Sequence, residues 1–128
     1  AFDHYMGCFK LPKDTDEQKA ARTAAMQAGL RKAIEIPLGT MRIADRCWPA
    51  MLDMAAHGNM SSRSDLEVGA KALETGSWGA HKNVLINLGG IKDADFTQRI
   101  RGEADALLAR AQEQCAAVLA ALDARGAA

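Results

Sequence analysis

Charge of one sign is the first thing this 128-residue chain lacks: sixteen Lys and Arg are balanced by sixteen Asp and Glu. Phosphate binding draws on a net excess or a clustered stripe of basic side chains, so nucleic acid is excluded as the main partner. Long hydrophobic runs are missing as well. No stretch approaches the roughly 20 apolar residues that span a bilayer, and Ala1 to Lys10 lack the basic flank and apolar run of a secretory signal. No membrane association is expected, and a reducing, cytoplasmic setting fits the cysteines. Cys8, Cys47 and Cys115 form an odd, scattered set without a Cys-x-x-Cys pair or a histidine at ligand spacing. Neither a disulfide framework nor a metal site is indicated. Catalytic signatures are also wanting: there is no phosphate-cradling glycine loop, no nucleophile elbow, no His-Glu-x-x-His and no dinucleotide fingerprint. The expectation is an activity without cofactor or metal.

What is present is helical spacing. No apolar alternation lasts long enough for a strand, and 48% of the residues are apolar. Phe2, Met6 and Phe9 mark a first helix that Pro12 ends. Thr15 with Gln18 is a capping-box pattern opening a second helix over about 16–36. Pro37 then suits the first turn of a third, carrying Met41, Ala44, Trp48, Met51 and Ala55. Pro49 inside that run predicts a kink or break near Arg46, unless Pro49 itself begins a new helix. Gly58 with Asn59 reads as a left-handed cap. Ser64 with Glu67 repeats the capping-box spacing at the mouth of a fourth helix, which begins near Asp65 and runs to Gly89-Gly90. Asp93 caps a long last helix whose row Phe96, Ile100, Ala104, Leu107, Ala111, Cys115, Val118 and Leu122 continues for some eight turns. The fold class is all-α, a bundle of about five helices forming one domain, or part of one, over residues 1–128.

Two places offer chemistry. The turn from Asn59 to Glu67 brings free amides and positive potential at a helix start, with the Asp65 carboxylate at the same mouth. Ser64 and Asp65 equally serve as a plain helix start. Asn83 and Asn87 are four apart and so are neighbours on one helix surface, each with donors and acceptors that suit a heterocycle or a neighbouring helix. Gly76 and Gly79 make a flat strip beside them. Interior glycines cost a helix roughly 1 kcal/mol each, so a neighbouring helix or a ligand lying against bare backbone should recover the loss. His4, His57 and His81 lie far apart in sequence and read as surface or structural residues.

The run Arg63-Ser64-Asp65-Leu66-Glu67-Val68-Gly69-Ala70-Lys71-Ala72-Leu73-Glu74, followed by Gly79-Ala80 and Asn83-Val84-Leu85-Ile86-Asn87-Leu88, resembles the cyclodeaminase domain of formimidoyltransferase-cyclodeaminases. Leu11-Pro12-Lys13, Arg22-Thr23-Ala24-Ala25, Pro37-Leu38, Trp48-Pro49 and Gly58-Asn59 extend the likeness to about Arg125. The resemblance implies a helical domain that assembles at least as a dimer, binds tetrahydrofolate, often with a polyglutamate tail, and serves one-carbon metabolism in histidine breakdown. Its reaction converts 5-formimidoyltetrahydrofolate to 5,10-methenyltetrahydrofolate and ammonia. Stand-alone relatives act instead as methenyltetrahydrofolate cyclohydrolases, and a helical assembly module without turnover is the remaining alternative. In this reading Asp65 is catalytic, stabilising the amidinium-like carbon or relaying a proton, while Asn59, Arg63, Ser64, Asn83 and Asn87 contact the folate. Arg63 and Lys82 are the cations for glutamate carboxylates. The family's upstream glycine-rich segment and basic helix have no counterpart before Ala1, so the chain is expected to be the C-terminal portion of the domain.

Overall fold

A computed structural model describes residues 1–126. These form five α-helices: α1 (Phe2–Cys8), α2 (Asp16–Asp45), α3 (Trp48–His57), α4 (Arg63–Leu88) and α5 (Ala94–Gly126), with a 3₁₀ turn at Met60–Ser62 before α4. None of them is long and apolar enough to cross a membrane.

α4 and α5 are joined by the short loop 89–93 and run antiparallel as a long hairpin. α2 packs across one half of it and α3 across the other, which divides the core in two. In the α2 half, Ile34, Leu38 and Met41 meet Val84 and Leu88 of α4 and Phe96 and Ile100 of α5. In the α3 half, Trp48 and Ala55 meet Ala70 of α4 and Cys115, Val118 and Leu122 of α5. The predicted α5 row is buried throughout except Leu107, which is half-buried. On α4 the predicted apolar set is only partly inward. Val68, Ala72 and Trp78 face out, and the small residues Ala70, Ser77 and Ala80 let α2 and α5 approach instead.

The helix ends show which local signals prevail. The Thr15–Gln18 capping box forms, with the Gln18 amide donating to Thr15 Oγ1 at 3.1 Å and the Thr15 amide to Gln18 Oε1 at 3.2 Å. Asp93 caps α5, accepting from the Phe96 amide at 3.0 Å. Pro37 does not open a helix as its spacing suggests; α2 runs straight through it. The missing amide costs one ladder bond. Burial of Ile34, Leu38 and Met41 on both sides, with Arg31 paired to Asp93 at 2.8 Å and Arg42 to Glu103 at 2.6 Å, holds the helix together across it. The chain breaks at Arg46–Cys47, where Pro49 predicts a break, and Pro49 itself then sits in the first turn of the new helix α3.

Candidate functional site

The corner between α3 and α4 differs from its sequence reading in two ways. Gly58 is not left-handed: its φ is −66° and ψ 170°. Its amide donates to the Met54 carbonyl at 2.8 Å, and a Cβ added there would lie 2.5 Å from that same oxygen, so glycine is required by close approach rather than by handedness. The carbonyls of Ala55 and Gly58 are instead capped by the Arg125 guanidinium of α5, at 2.8 Å each.

The Ser64–Glu67 capping box also does not form. α4 begins two residues earlier than expected, at Arg63, behind a 3₁₀ turn capped by Asn59, whose Oδ1 accepts from the Ser61 amide at 3.0 Å. Glu67 turns to Arg63 Nε at 2.7 Å, which leaves Ser64 as an exposed residue of the first turn. Arg63 also donates to Asp123 of α5. Glu67 first and Asp123 after it hold the Arg63 guanidinium pKa up. A substrate carboxylate at Arg63 would therefore compete with two carboxylates of its own chain. Asp65 is exposed and, among the described residues, has no side-chain partner.

Asn83 and Asn87 lie in the other half. They line a cleft of about 570 Å³ between α4, α2 and the start of α1, facing Phe2, Ile36, Pro37 and Thr40. Asn87 Nδ2 donates to the Asn83 carbonyl at 2.9 Å, which leaves its side-chain oxygen without a partner among the described residues; Asn83 is exposed. Gly76 and Gly79 form the predicted strip beside them and line the same cleft. A Cβ at either would meet nothing within 4 Å. Close helix packing within the chain therefore does not account for these two glycines, and the bare backbone faces open space.

The six predicted residues thus fall into two groups. Asn59, Arg63, Ser64 and Asp65 share the α3 end of α4, and Asn83 and Asn87 the α2 end. At about 1.5 Å per residue, Asp65 and Asn83 stand about 27 Å apart along α4. They nevertheless share a line, because Asp65, Val68, Ala72, Gly76, Gly79 and Asn83 follow steps of three and four along the outer face of the helix.

Sequence reasoning missed the opposite wall of the cleft. Local spacing reads Pro37 as a helix start, and no local signal places Phe2 beside it. His81 was also missed as a bridge: it is buried, with Nε2 2.7 Å from Asp105 of α5. Cys115 is fully buried between the hairpin helices; burial first, and Glu74 after it, push its thiol pKa up, so it behaves as an inert apolar group. Among the described residues no group of three or more His, Cys, Asp or Glu is placed to hold a metal ion.

Comparison with known proteins gives a consistent picture. The family model described as formiminotransferase-cyclodeaminase matches residues 1–106. The formimidoyltransferase-cyclodeaminase of Sus scrofa is 48% identical over 125 residues, covering 98% of this chain and 23% of that protein. The Dictyostelium discoideum protein of the same name is 46% identical over 98% of this chain and 22% of its own length. The methenyltetrahydrofolate cyclohydrolase of Methylorubrum extorquens is 37% identical over 87% of this chain and 53% of its own length. The chain therefore spans less than a quarter of the bifunctional relatives and about half of the cyclohydrolase, and it belongs to the formiminotransferase-cyclodeaminase family.

Proposed function

We propose that this chain is the C-terminal portion of a formimidoyltetrahydrofolate cyclodeaminase domain. It acts on 5-formimidoyltetrahydrofolate to give 5,10-methenyltetrahydrofolate and ammonia, in the cytoplasm and without metal or redox cofactor. The observation that carries the reading is the cleft: two amides with paired donors and acceptors stand beside bare glycine backbone and the apolar wall of Phe2, Ile36 and Pro37. A flat heterocycle rich in ring nitrogens matches that combination. Lys82, next to Asn83 and 5.4 Å over the Trp78 ring, is the cation nearer the cleft for a glutamate tail, since Arg63 is already held by two carboxylates.

The chemistry needs proton movement and charge stabilisation. The folate N10 attacks the amidinium carbon carried on N5, forming the N10–C bond. The proton that N10 gives up passes to a carboxylate and on to the amino group, the C–N bond to that group breaks, and ammonia leaves with the methenyl cation behind it. Asp65 is the carboxylate assigned here, with Asn59 and Ser64 beside it.

Because Asp65 lies about 27 Å from Asn83 on its own helix at about 1.5 Å per residue, it serves a folate held in the cleft of a second copy. The shared line along the exposed face of α4 supports this: a two-fold axis near Gly76 would lay Asp65 of one copy opposite Asn87 of the other.

The identity of the Methylorubrum extorquens relative favours one second reading, hydrolysis of the methenyl carbon as in a methenyltetrahydrofolate cyclohydrolase. The test follows ammonia and the methenyl absorbance together on 5-formimidoyltetrahydrofolate, with the full polypeptide that carries this chain. Methenyl formation with stoichiometric ammonia supports the cyclodeaminase. Turnover of methenyltetrahydrofolate alone supports the cyclohydrolase, and neither leaves an assembly module. Mixing equal amounts of Asp65→Asn and Asn83→Ala subunits, assayed at substrate well below KM, should restore about a quarter of wild-type activity if the site is shared across a two-fold interface, and only about a twentieth if it is not.

A further inference from the structure

The last turn of α5 does more at the α3–α4 corner than close the bundle. Arg125 spans the C-terminus of α3, donating to the Ala55 and Gly58 carbonyls at 2.8 Å each, and it is half-buried there. The Ala55 carbonyl is the orphan acceptor that a left-handed Gly58 would serve with its own amide, and the glycine does not adopt that conformation. Two residues before it, Asp123 takes the guanidinium of Arg63, the first residue of α4. The segment from Gly58 to Arg63 is therefore gripped at both ends by one helical turn of α5. Between the grips sits Asn59, which caps the 3₁₀ turn through the Ser61 amide and accepts the Ser62 amide on its carbonyl at 3.0 Å. Asp65 follows two residues after the second grip. The grip lies beyond residue 106, where the family-model match ends.

We propose that Arg125 is a positioning residue for Asp65: by fixing the end of α3 it sets the direction in which α4 starts, and so where the Asp65 carboxylate points. This rests on the assignment of Asp65 in the proposed function. A bidentate guanidinium spanning two carbonyls fixes both spacing and angle, which a single ammonium does not. Misplacement of a reacting group by about 1 Å can cost up to a hundredfold in rate.

The experiment uses the full polypeptide with Arg125→Ala, Arg125→Lys, Asp65→Asn and the double variant Asp65→Asn/Arg125→Ala. Arg110→Ala, which breaks the α5 pair to Asp45 at 3.0 Å away from the corner, is the control. Turnover of 5-formimidoyltetrahydrofolate and amide exchange are both followed. Arg125→Ala should lower kcat about tenfold with KM unchanged and speed exchange at Gly58, Ser61 and Ser62, while Gly90 and Lys92 at the far end of α4 keep their rates. Arg125→Lys should recover part of the loss, Arg110→Ala should match wild type, and Arg125→Ala should cost nothing further in the Asp65→Asn background. Wild-type kcat in Arg125→Ala, or the same tenfold loss with and without the Asp65 carboxylate, overturns the inference alone. A wild-type protein without turnover overturns the proposed function, and this inference with it.

Discussion

The two ends of α4 are built on opposite plans. At the α3 end the side chains are charged and cross-linked: Arg63, Glu67, Asp123 and Arg125 hold a short turn from which one carboxylate, Asp65, projects. At the α2 end the wall is neutral and small. Gly76 and Gly79 leave backbone bare, Asn83 and Asn87 supply amides, and Pro37 and Phe2 close the far side. The polar grips are made outside the cleft, by the Gln27 amide to the Gly90 carbonyl at 2.8 Å and by the ion pair of Arg31 with Asp93. A neutral cleft with amides recognises shape and a hydrogen-bond pattern, whereas a clamped carboxylate supplies a proton acceptor at a fixed place. On the proposed roles, one helix separates binding from proton transfer by most of its length.

That division is broken most severely at Asp65. Asp65→Asn keeps size and surface polarity but removes the proton acceptor, so kcat on 5-formimidoyltetrahydrofolate should fall by about a hundredfold or more while KM holds. Substitution at the other end should do the reverse. Asn83→Ala or Asn87→Ala removes contacts made equally to substrate and transition state, so KM should rise about tenfold with kcat nearly unchanged. If Asn83→Ala instead lowers kcat and leaves KM alone, the cleft takes part in the chemistry and the separation is wrong.

A smaller change sharpens the contrast. Gly79 lies in the interior of α4 with open space where a Cβ would go, so Gly79→Ala should raise stability by about 0.5–1 kcal/mol, read as a higher urea midpoint. The same methyl group would intrude on the cleft, and KM should rise severalfold. A more stable protein with unchanged KM would show that folate does not lie against this strip.

The sequence made some of this legible because the determinants are local. Thr15 with Gln18, Asp93 before Phe96, and the α5 row from Phe96 to Leu122 each involve residues within a few positions or one helical face, and all appear as read. Asn83, Asn87, Gly76 and Gly79 were grouped by the same rule. Ser64, Gly58 and Pro37 were misread for a common reason: their outcome is decided by distant partners. Arg125, nearly seventy positions away, replaces the cap at Gly58, and Arg63 takes Glu67 from Ser64 once Asp123 holds it in place. Buried contacts with α4 and α5 carry α2 across Pro37. The distance between Asp65 and Asn83 is implicit in reading one helix from 65 to 88; residue types alone mark two separate places, and it is the family resemblance that joins them in a single site.

The smallest expected effect concerns acid. In the α2 half, Glu103 is held below the usual carboxylate range by its hydrogen bonds from Arg42, and Asp93 by the Phe96 amide and then by Arg31. Both join α2 to the start of α5 and so brace the cleft. A carboxylate whose folded pKa is depressed contributes stability above its unfolded value, near 4, and loses that contribution as pH falls through the lower folded value. Destabilisation from these two groups should therefore set in below about pH 4 and not between pH 5 and 8. The Arg42–Glu103 pair is partly exposed and screened, so its share should stay below about 1 kcal/mol. Urea midpoints at pH 6 and pH 3 for wild type and Glu103→Gln check this: the variant should start lower at pH 6 and lose less on acidification. Equal losses in the two proteins would mean that Glu103 does not brace the cleft half.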